Sequence, residues 1–311
     1  MKKTIIIFLL LTGIIVSNAQ TNLPQVSSGK IERIENFKSQ YVNDRNIDVW
    51  LPEGYSEESK YNVLYMHDGQ MLFDANTTWN KQEWGVDECI SELISEGKIK
   101  PCIVVGIFND ANDRHSDFFP QKPFESLPEN FRDSLMGVER YEGHPLFSKA
   151  VQSDNYLKFL VEEVKPYIDA HYSVNIEKEN TFVAGSSMGG LISMYAICEY
   201  PDVFAGAACL STHWPGIFQM ENNPVPNAFQ NYMQENLPEA SSHLIYFDYG
   251  TETLDALYEL PQKGMDEVMK AKGYTKENWI TLKFEGEEHS ENSWKKRLTT
   301  PLEFIMGTKN K

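Results

Sequence analysis

The chain has 311 residues, 41% of them apolar, 12% aromatic and 23% charged, a composition that argues against disorder and fits one or two globular domains. Its 45 acidic and 28 basic side chains leave a formal net charge of -17 with no run of Lys or Arg, which argues against nucleic acid or an anionic membrane surface as a partner.

The first segment reads as a signal peptide. Lys2 and Lys3 precede an apolar run over residues 5–16, and Ser17 and Ala19 place small residues three and one before a cut at Gln20. The run is short for a bilayer span, and no Cys stands at the cut. We therefore expect residues 1–19 to be removed and residues 20–311 to form one domain, periplasmic or secreted, with no membrane anchor.

Beyond that segment, strand-like runs alternate with amphipathic helical ones, the pattern of a mostly parallel sheet flanked by helices. Residues 46–51 and 61–66 read as strands, 84–96 as a helix and 102–108 as a β-branched buried strand. Residues 109–148 show little periodicity and read as an irregular insertion. A helix follows over 154–172, then a strand at 180–184, a helix at 188–199 and a strand at 205–210. After a second irregular insertion over 215–240 come a strand at 243–249, a helix at 255–272, a strand at 279–284 and a closing helix at 293–306.

Cys89, Cys102, Cys198 and Cys209 lie in apolar segments without C-x-x-C spacing and read as mostly buried thiols, with one disulfide allowed. The His residues never pair at i, i+4 around a Glu, so no metal site is expected, and no cofactor motif is present.

Gly185, Ser187 and Gly189 form G-x-S-x-G between an apolar strand and a helical pattern, which is the context of a nucleophile elbow. There the serine sits on a strained strand-to-helix turn, and glycine two residues before and after is expected to relieve clashes. Ser186 is not central between the glycines and is the weaker candidate. With Ser187 as nucleophile, this topology orders the acid and then the histidine downstream, and only His289, in the loop after the last strand, lies beyond the acid loop. The acid should follow the strand ending at residue 249. Asp255 is preferred, Glu252 is the alternative, and Asp248 is third because it lies within the strand. Oxyanion donors are expected from the backbone of Met188 and of Gly69 or Gln70. Trp214 and Arg114 are candidate substrate contacts, with core packing and an ion pair as their respective alternatives.

Tyr65-Met66-His67-Asp68-Gly69-Gln70, the Gly185–Gly190 segment, and His289-Ser290-Glu291 followed by Trp294 and Arg297 resemble the putative-esterase family of α/β-hydrolases. That group includes esterase D, enterochelin-type siderophore esterases, and the feruloyl and acetylxylan esterases of carbohydrate esterase family 1. The resemblance runs from residue 46 to 304. It implies the α/β-hydrolase fold and a Ser-His-acid hydrolase with Ser187, His289 and the Met188 N–H in those roles. Arg114 to Pro120 resembles the family's R-x-x-E-Y-x-P with Asp and Phe substituted. One departure stands out: where many members carry the acid, three residues after the glycine ending its strand, this chain has Thr253. The resulting expectation is an exported serine esterase acting through an acyl-enzyme on feruloyl or acetyl esters of plant polysaccharide. A siderophore esterase comes second, and a non-catalytic carbohydrate-binding protein on the same fold is the rival. The oligomeric state is not legible.

Overall fold

The computed structural model describes residues 23–218 and 221–308, so the expected signal peptide lies outside the described residues. Eight strands form one sheet in the order β1-β2-β4-β3-β7-β8-β9-β10. They are β1 (Lys30–Phe37), β2 (Arg45–Leu51), β3 (Asn62–His67), β4 (Cys102–Ile107), β7 (Thr181–Ser186), β8 (Gly206–Leu210), β9 (Leu244–Gly250) and β10 (Trp279–Phe284). The β1–β2 and β2–β4 pairs are antiparallel, and every later pair is parallel. The two remaining strands, β5 (Glu139–Tyr141) and β6 (His144–Pro145), make a separate hairpin.

Alternation along the strands sends side chains to two cores. Val63, Tyr65 and Val183 face one side, where the helices Met188–Glu199 and Val225–Asn236 pack. Leu64, Met66 and Ala184 face the other, against the helices Val86–Ser95 and Thr299–Met306. Burial on both faces is why β3, β4 and β7 read as continuous apolar runs. Every parallel strand therefore ends at one edge of the sheet, where the following loops meet.

Both insertions carry more order than the sequence suggested. Residues 109–148 contain three short helices, Arg114–Phe118, Gln121–Ser126 and Glu129–Met136, before the hairpin. Pro120 and Pro128 stand at the N-caps of the second and third, and pieces this short show no readable period. The second insertion contains the helix Val225–Asn236, whose buried Val225, Ala228, Phe229, Tyr232 and Met233 follow the helical repeat. The expected helix over 154–172 is one continuous rod with a π-helical stretch at Phe159–Val164, just before Pro166, which has no N–H to give to the preceding turn. All four cysteines are buried and free.

Candidate active site

The loops at the carboxyl edge bring together residues from β3, β7, β8, β9 and β10. After β7, Ser187 adopts φ 59°, ψ -119°, a conformation strained for a residue with a side chain, and the helix Met188–Glu199 begins at once. The elbow is pinned on both sides: the Ser187 N–H donates to Leu210 O (2.9 Å), and its carbonyl accepts from Gly190, Leu191 and His213 N–H groups. A Cβ on Gly185 would lie 2.7 Å from the Gly189 carbonyl, so this turn requires glycine there. At Gly189 itself the expected clash is absent, because a Cβ would make ordinary contact, 3.4 Å from Asp68 Oδ2.

His289 follows β10. Its Nδ1 lies 2.5 Å from Asp255 Oδ1, and its backbone N–H donates to Thr253 Oγ1 (2.9 Å). The imidazole stands edge-on to Trp294 and Tyr258, with centroids 5.0 and 5.8 Å away. Asp255 is buried, and its second oxygen accepts from Ser211 Oγ (2.5 Å) and the Gly250 N–H (2.6 Å). Burial pushes this carboxyl's pKa up, but the His289, Ser211 and Gly250 contacts outweigh it and hold the pKa below the ordinary value. Glu252 points into solvent, so Asp255 is the carboxylate that meets the imidazole. Thr253, at the family's usual acid position, has φ 54° inside a 3-10 turn, and that turn delivers Asp255 two residues later.

A polar layer sequence reasoning missed supports this pair from below. Ser211 Oγ accepts from Trp294 Nε1 and Arg297 Nη2, each at 2.9 Å, while Arg297 also binds both oxygens of buried Asp248 at 3.0–3.1 Å. Trp294 and Arg297 thus tie the helix after His289 to the loop after β8. Asp248, the third-ranked acid, is committed to that layer; burial raises its pKa, against the pull of Arg297.

The loop after β3 lies beside the helix start. Asp68 has φ 58° and opens the 3-10 turn Gly69–Met71. A Cβ on Gly69 would sit 2.4 Å from the Gly106 carbonyl carbon, so only glycine lets this loop press onto β4. Met188 is the first residue of its helix and lacks an intrahelical acceptor for its N–H. Arg114 grips Asp68 with Nε and Nη2, both at 2.7 Å, and Asn109 Nδ2 adds a third bond at 2.6 Å. Arg114 is therefore held in an ion pair that fixes the Asp68–Gln70 loop, not left free for substrate. Burial would raise the Asp68 pKa, but Arg114 and Asn109 bring it below the ordinary value.

Trp214 is corrected more sharply. It is fully buried between Phe229 and Phe247, and its Nε1 donates to Gln262 Oε1 (2.7 Å), so it belongs to the core and cannot stack on a ligand. Two buried residues that no motif marked lie beside the elbow. The Tyr258 hydroxyl lies 2.8 Å from His213 Nδ1, and the His213 backbone N–H donates to the Ser187 carbonyl (3.2 Å). Their signal was positional: Tyr258 is one turn past Asp255, and His213 is two residues past Ser211 at the end of β8.

Sheet, elbow and imidazole–carboxylate pair define an α/β-hydrolase-type carboxylic ester hydrolase. The chain belongs to the esterase family described as "Putative esterase", whose model matches residues 39–305. Among curated relatives, an uncharacterized protein YbbA of Bacillus subtilis is 22% identical over 274 residues, covering 86% of this chain and 94% of its own. An endo-1,4-beta-xylanase/feruloyl esterase of Xylanibacter ruminicola is 25% identical over 60% of this chain but only 22% of that longer protein. A CE1 ferulic acid esterase from Anaeromyces mucronatus shares the fold with a TM-score of 0.61, at 19% identity, over 92% of this chain and 94% of that one.

Proposed function

We propose that this esterase is an exported serine hydrolase of feruloyl or acetyl esters on plant polysaccharide. Ser187 attacks the ester carbonyl, and His289, oriented by Asp255, takes the serine proton and passes it to the leaving alcohol. The Met188 N–H, with that of Gly69 or Gln70, receives the developing oxyanion. Water then enters by the same route and releases the acid. The observation that carries this reading is the His289–Asp255 pair at 2.5 Å, on the same sheet edge as a serine held at positive φ.

The choice of acyl group rests on the surroundings. Phe218 is half-exposed, with its ring 5.9 Å from His213, and Leu257 is exposed next to Tyr258. Trp79 is 83% exposed, beside Asn80, whose amide donates to Glu291 Oε2 two residues past His289. Exposed apolar side chains around a polar centre suit an aromatic acyl group with a hydrated leaving group. A relative whose name includes feruloyl esterase alongside endo-1,4-beta-xylanase supports the same choice.

The test is hydrolysis of aryl acetate, methyl ferulate, acetylated xylan and a catecholate siderophore ester, with Ser187→Ala as blank. The proposal expects turnover of ferulate or xylan ester that the variant abolishes. Turnover of the catecholate ester alone would move the assignment to a siderophore esterase. Silence on every ester with retained glycan binding would support a non-catalytic carbohydrate-binding protein. Export is tested by the N-terminus of the protein recovered outside the cytoplasm, expected at Gln20.

A further inference from the structure

We propose that Ser211 is a positioning residue of the reaction, which holds the Asp255 carboxylate in line with His289 and ties it to the Ser187 elbow. The inference rests on the reading of Ser187, His289 and Asp255 as the reacting set and adds a fourth side chain that acts through the carboxylate.

The backbone gives the first indication. Ser211 is fully buried directly after β8 and has φ 41°, in the left-handed region that favours glycine. A serine held there is strained, and its hydroxyl is what a glycine would lack. The same stretch grips the nucleophile: Leu210 O accepts the Ser187 N–H (2.9 Å), and the His213 N–H donates to the Ser187 carbonyl (3.2 Å). The Ser211 N–H donates to Asp248 Oδ1 (3.0 Å), which fixes the loop from the β9 side.

The direction of every hydrogen bond at the hydroxyl is forced. Trp294 Nε1 and Arg297 Nη2, each 2.9 Å from Ser211 Oγ, can only donate. Ser211 Oγ accepts both, so its one hydrogen goes to Asp255 Oδ2, 2.5 Å away. The Gly250 N–H donates to the same oxygen (2.6 Å). Two donors on Oδ2 set the plane of the carboxylate and leave Oδ1 to meet His289 Nδ1. Arg297 binds Asp248 at 3.0–3.1 Å and stays 3.9 Å from Asp255, so the hydroxyl carries the contact between the guanidinium and the carboxylate.

The other groups packed around the pair leave this arrangement in place. Tyr258 stands edge-on to His289, His213 is neutral because burial holds its pKa well below the ordinary value, and across the elbow Arg114 is paired with Asp68. Loss of the Ser211 hydroxyl leaves more negative charge on the oxygen that faces His289, which favours the imidazolium. The acid limb of kcat/KM, which reports the free base, then moves to higher pH. The carboxylate also becomes free to rotate out of line, which lowers kcat.

The test compares the pH profile of kcat/KM and the plateau kcat and KM for aryl acetate in wild type, Ser211→Gly and Ser211→Ala, with fluorophosphonate labelling of Ser187 and thermal unfolding on each. Glycine suits φ 41°, so Ser211→Gly relieves the strain and should unfold at a higher temperature than Ser211→Ala. Both variants should nevertheless lose about tenfold in kcat, of the order of one hydrogen bond to a charged group, with KM within about twofold and the acid limb raised by about half a pH unit. A Ser211→Gly variant with wild-type kcat and pH profile would overturn the proposal while leaving the esterase reading intact. Failure of Ser211→Gly to fold would also overturn it, by making the serine a structural support. Absence of Ser187 labelling in the wild-type protein would overturn the esterase reading, and this inference with it.

Discussion

Replacing Asp255 by Asn tests the electrostatics of the site with little change in shape. Asp255 is buried and its two oxygens serve different partners, His289 Nδ1 on one side and Ser211 Oγ with the Gly250 N–H on the other. An asparagine satisfies the second side with its carbonyl oxygen, which forces its NH2 toward His289. Nδ1 must then accept, the ring proton moves to Nε2, and the nitrogen that should take the serine proton is already occupied. The imidazolium formed during attack also loses its counter-charge. In the Ser-His-Asp template the same change costs about ten-thousand-fold in kcat, equivalent to about 5 kcal/mol of transition-state stabilisation. We expect a loss of that order in kcat for aryl acetate, with the thermal midpoint close to wild type. Glu252→Gln, at an exposed position, should change kcat less than twofold. A variant Asp255→Asn that kept a tenth of wild-type kcat, or a Glu252→Gln variant that lost as much as tenfold, would refute the assignment of the acid.

Three further outcomes follow from the corrected roles. Arg114→Ala strips a largely buried carboxylate of its doubly bonded partner, so it should destabilise the protein by about 2–3 kcal/mol in chemical denaturation, and lower kcat by loosening the Asp68–Gln70 loop; Arg114→Lys, which cannot reproduce the two parallel bonds, should recover only part. Trp214→Phe should cost about 1–2 kcal/mol by leaving Gln262 Oε1 without its donor, while KM for every ester stays unchanged; a raised KM with unchanged stability would restore Trp214 as a substrate contact. The cysteines are free, and burial pushes the Cys89 and Cys102 thiols up to about 12, so a thiol reagent should find no fast-reacting group in the native protein and all four thiols after denaturation without reductant. Fewer than four would reveal a disulfide.

What the sequence made legible follows from where local rules dominate. Ser187 and His289 could be located because an elbow needs glycine at Gly185 and because the order of strands leaves only one histidine after the acid loop. Asp255 was legible through its place after β9, even though Thr253 stands where many family members carry the acid. The first strand, β1, was missed because an edge strand with Glu32, Arg33 and Glu35 has no strong apolar alternation. The helix Val225–Asn236 was masked by Pro224 and Pro226, which read as loop but stand at its start. Trp214 was misplaced for the same reason, since that helix supplies Phe229, part of the cover that buries it. Ser211, Asp248, His213 and Tyr258 carry no motif at all. Their roles arise from side chains 37 to 86 positions apart meeting at one sheet edge, which no local pattern encodes.

The most direct test of the central claim is the mass of the protein trapped during turnover of a slowly deacylating aryl ester. The account predicts one added acyl group, mapped to Ser187 by peptide sequencing, absent in Ser187→Ala and released by water in the wild-type protein. Hydrolysis without any acyl adduct, an adduct on another residue, or undiminished turnover by Ser187→Ala would contradict it.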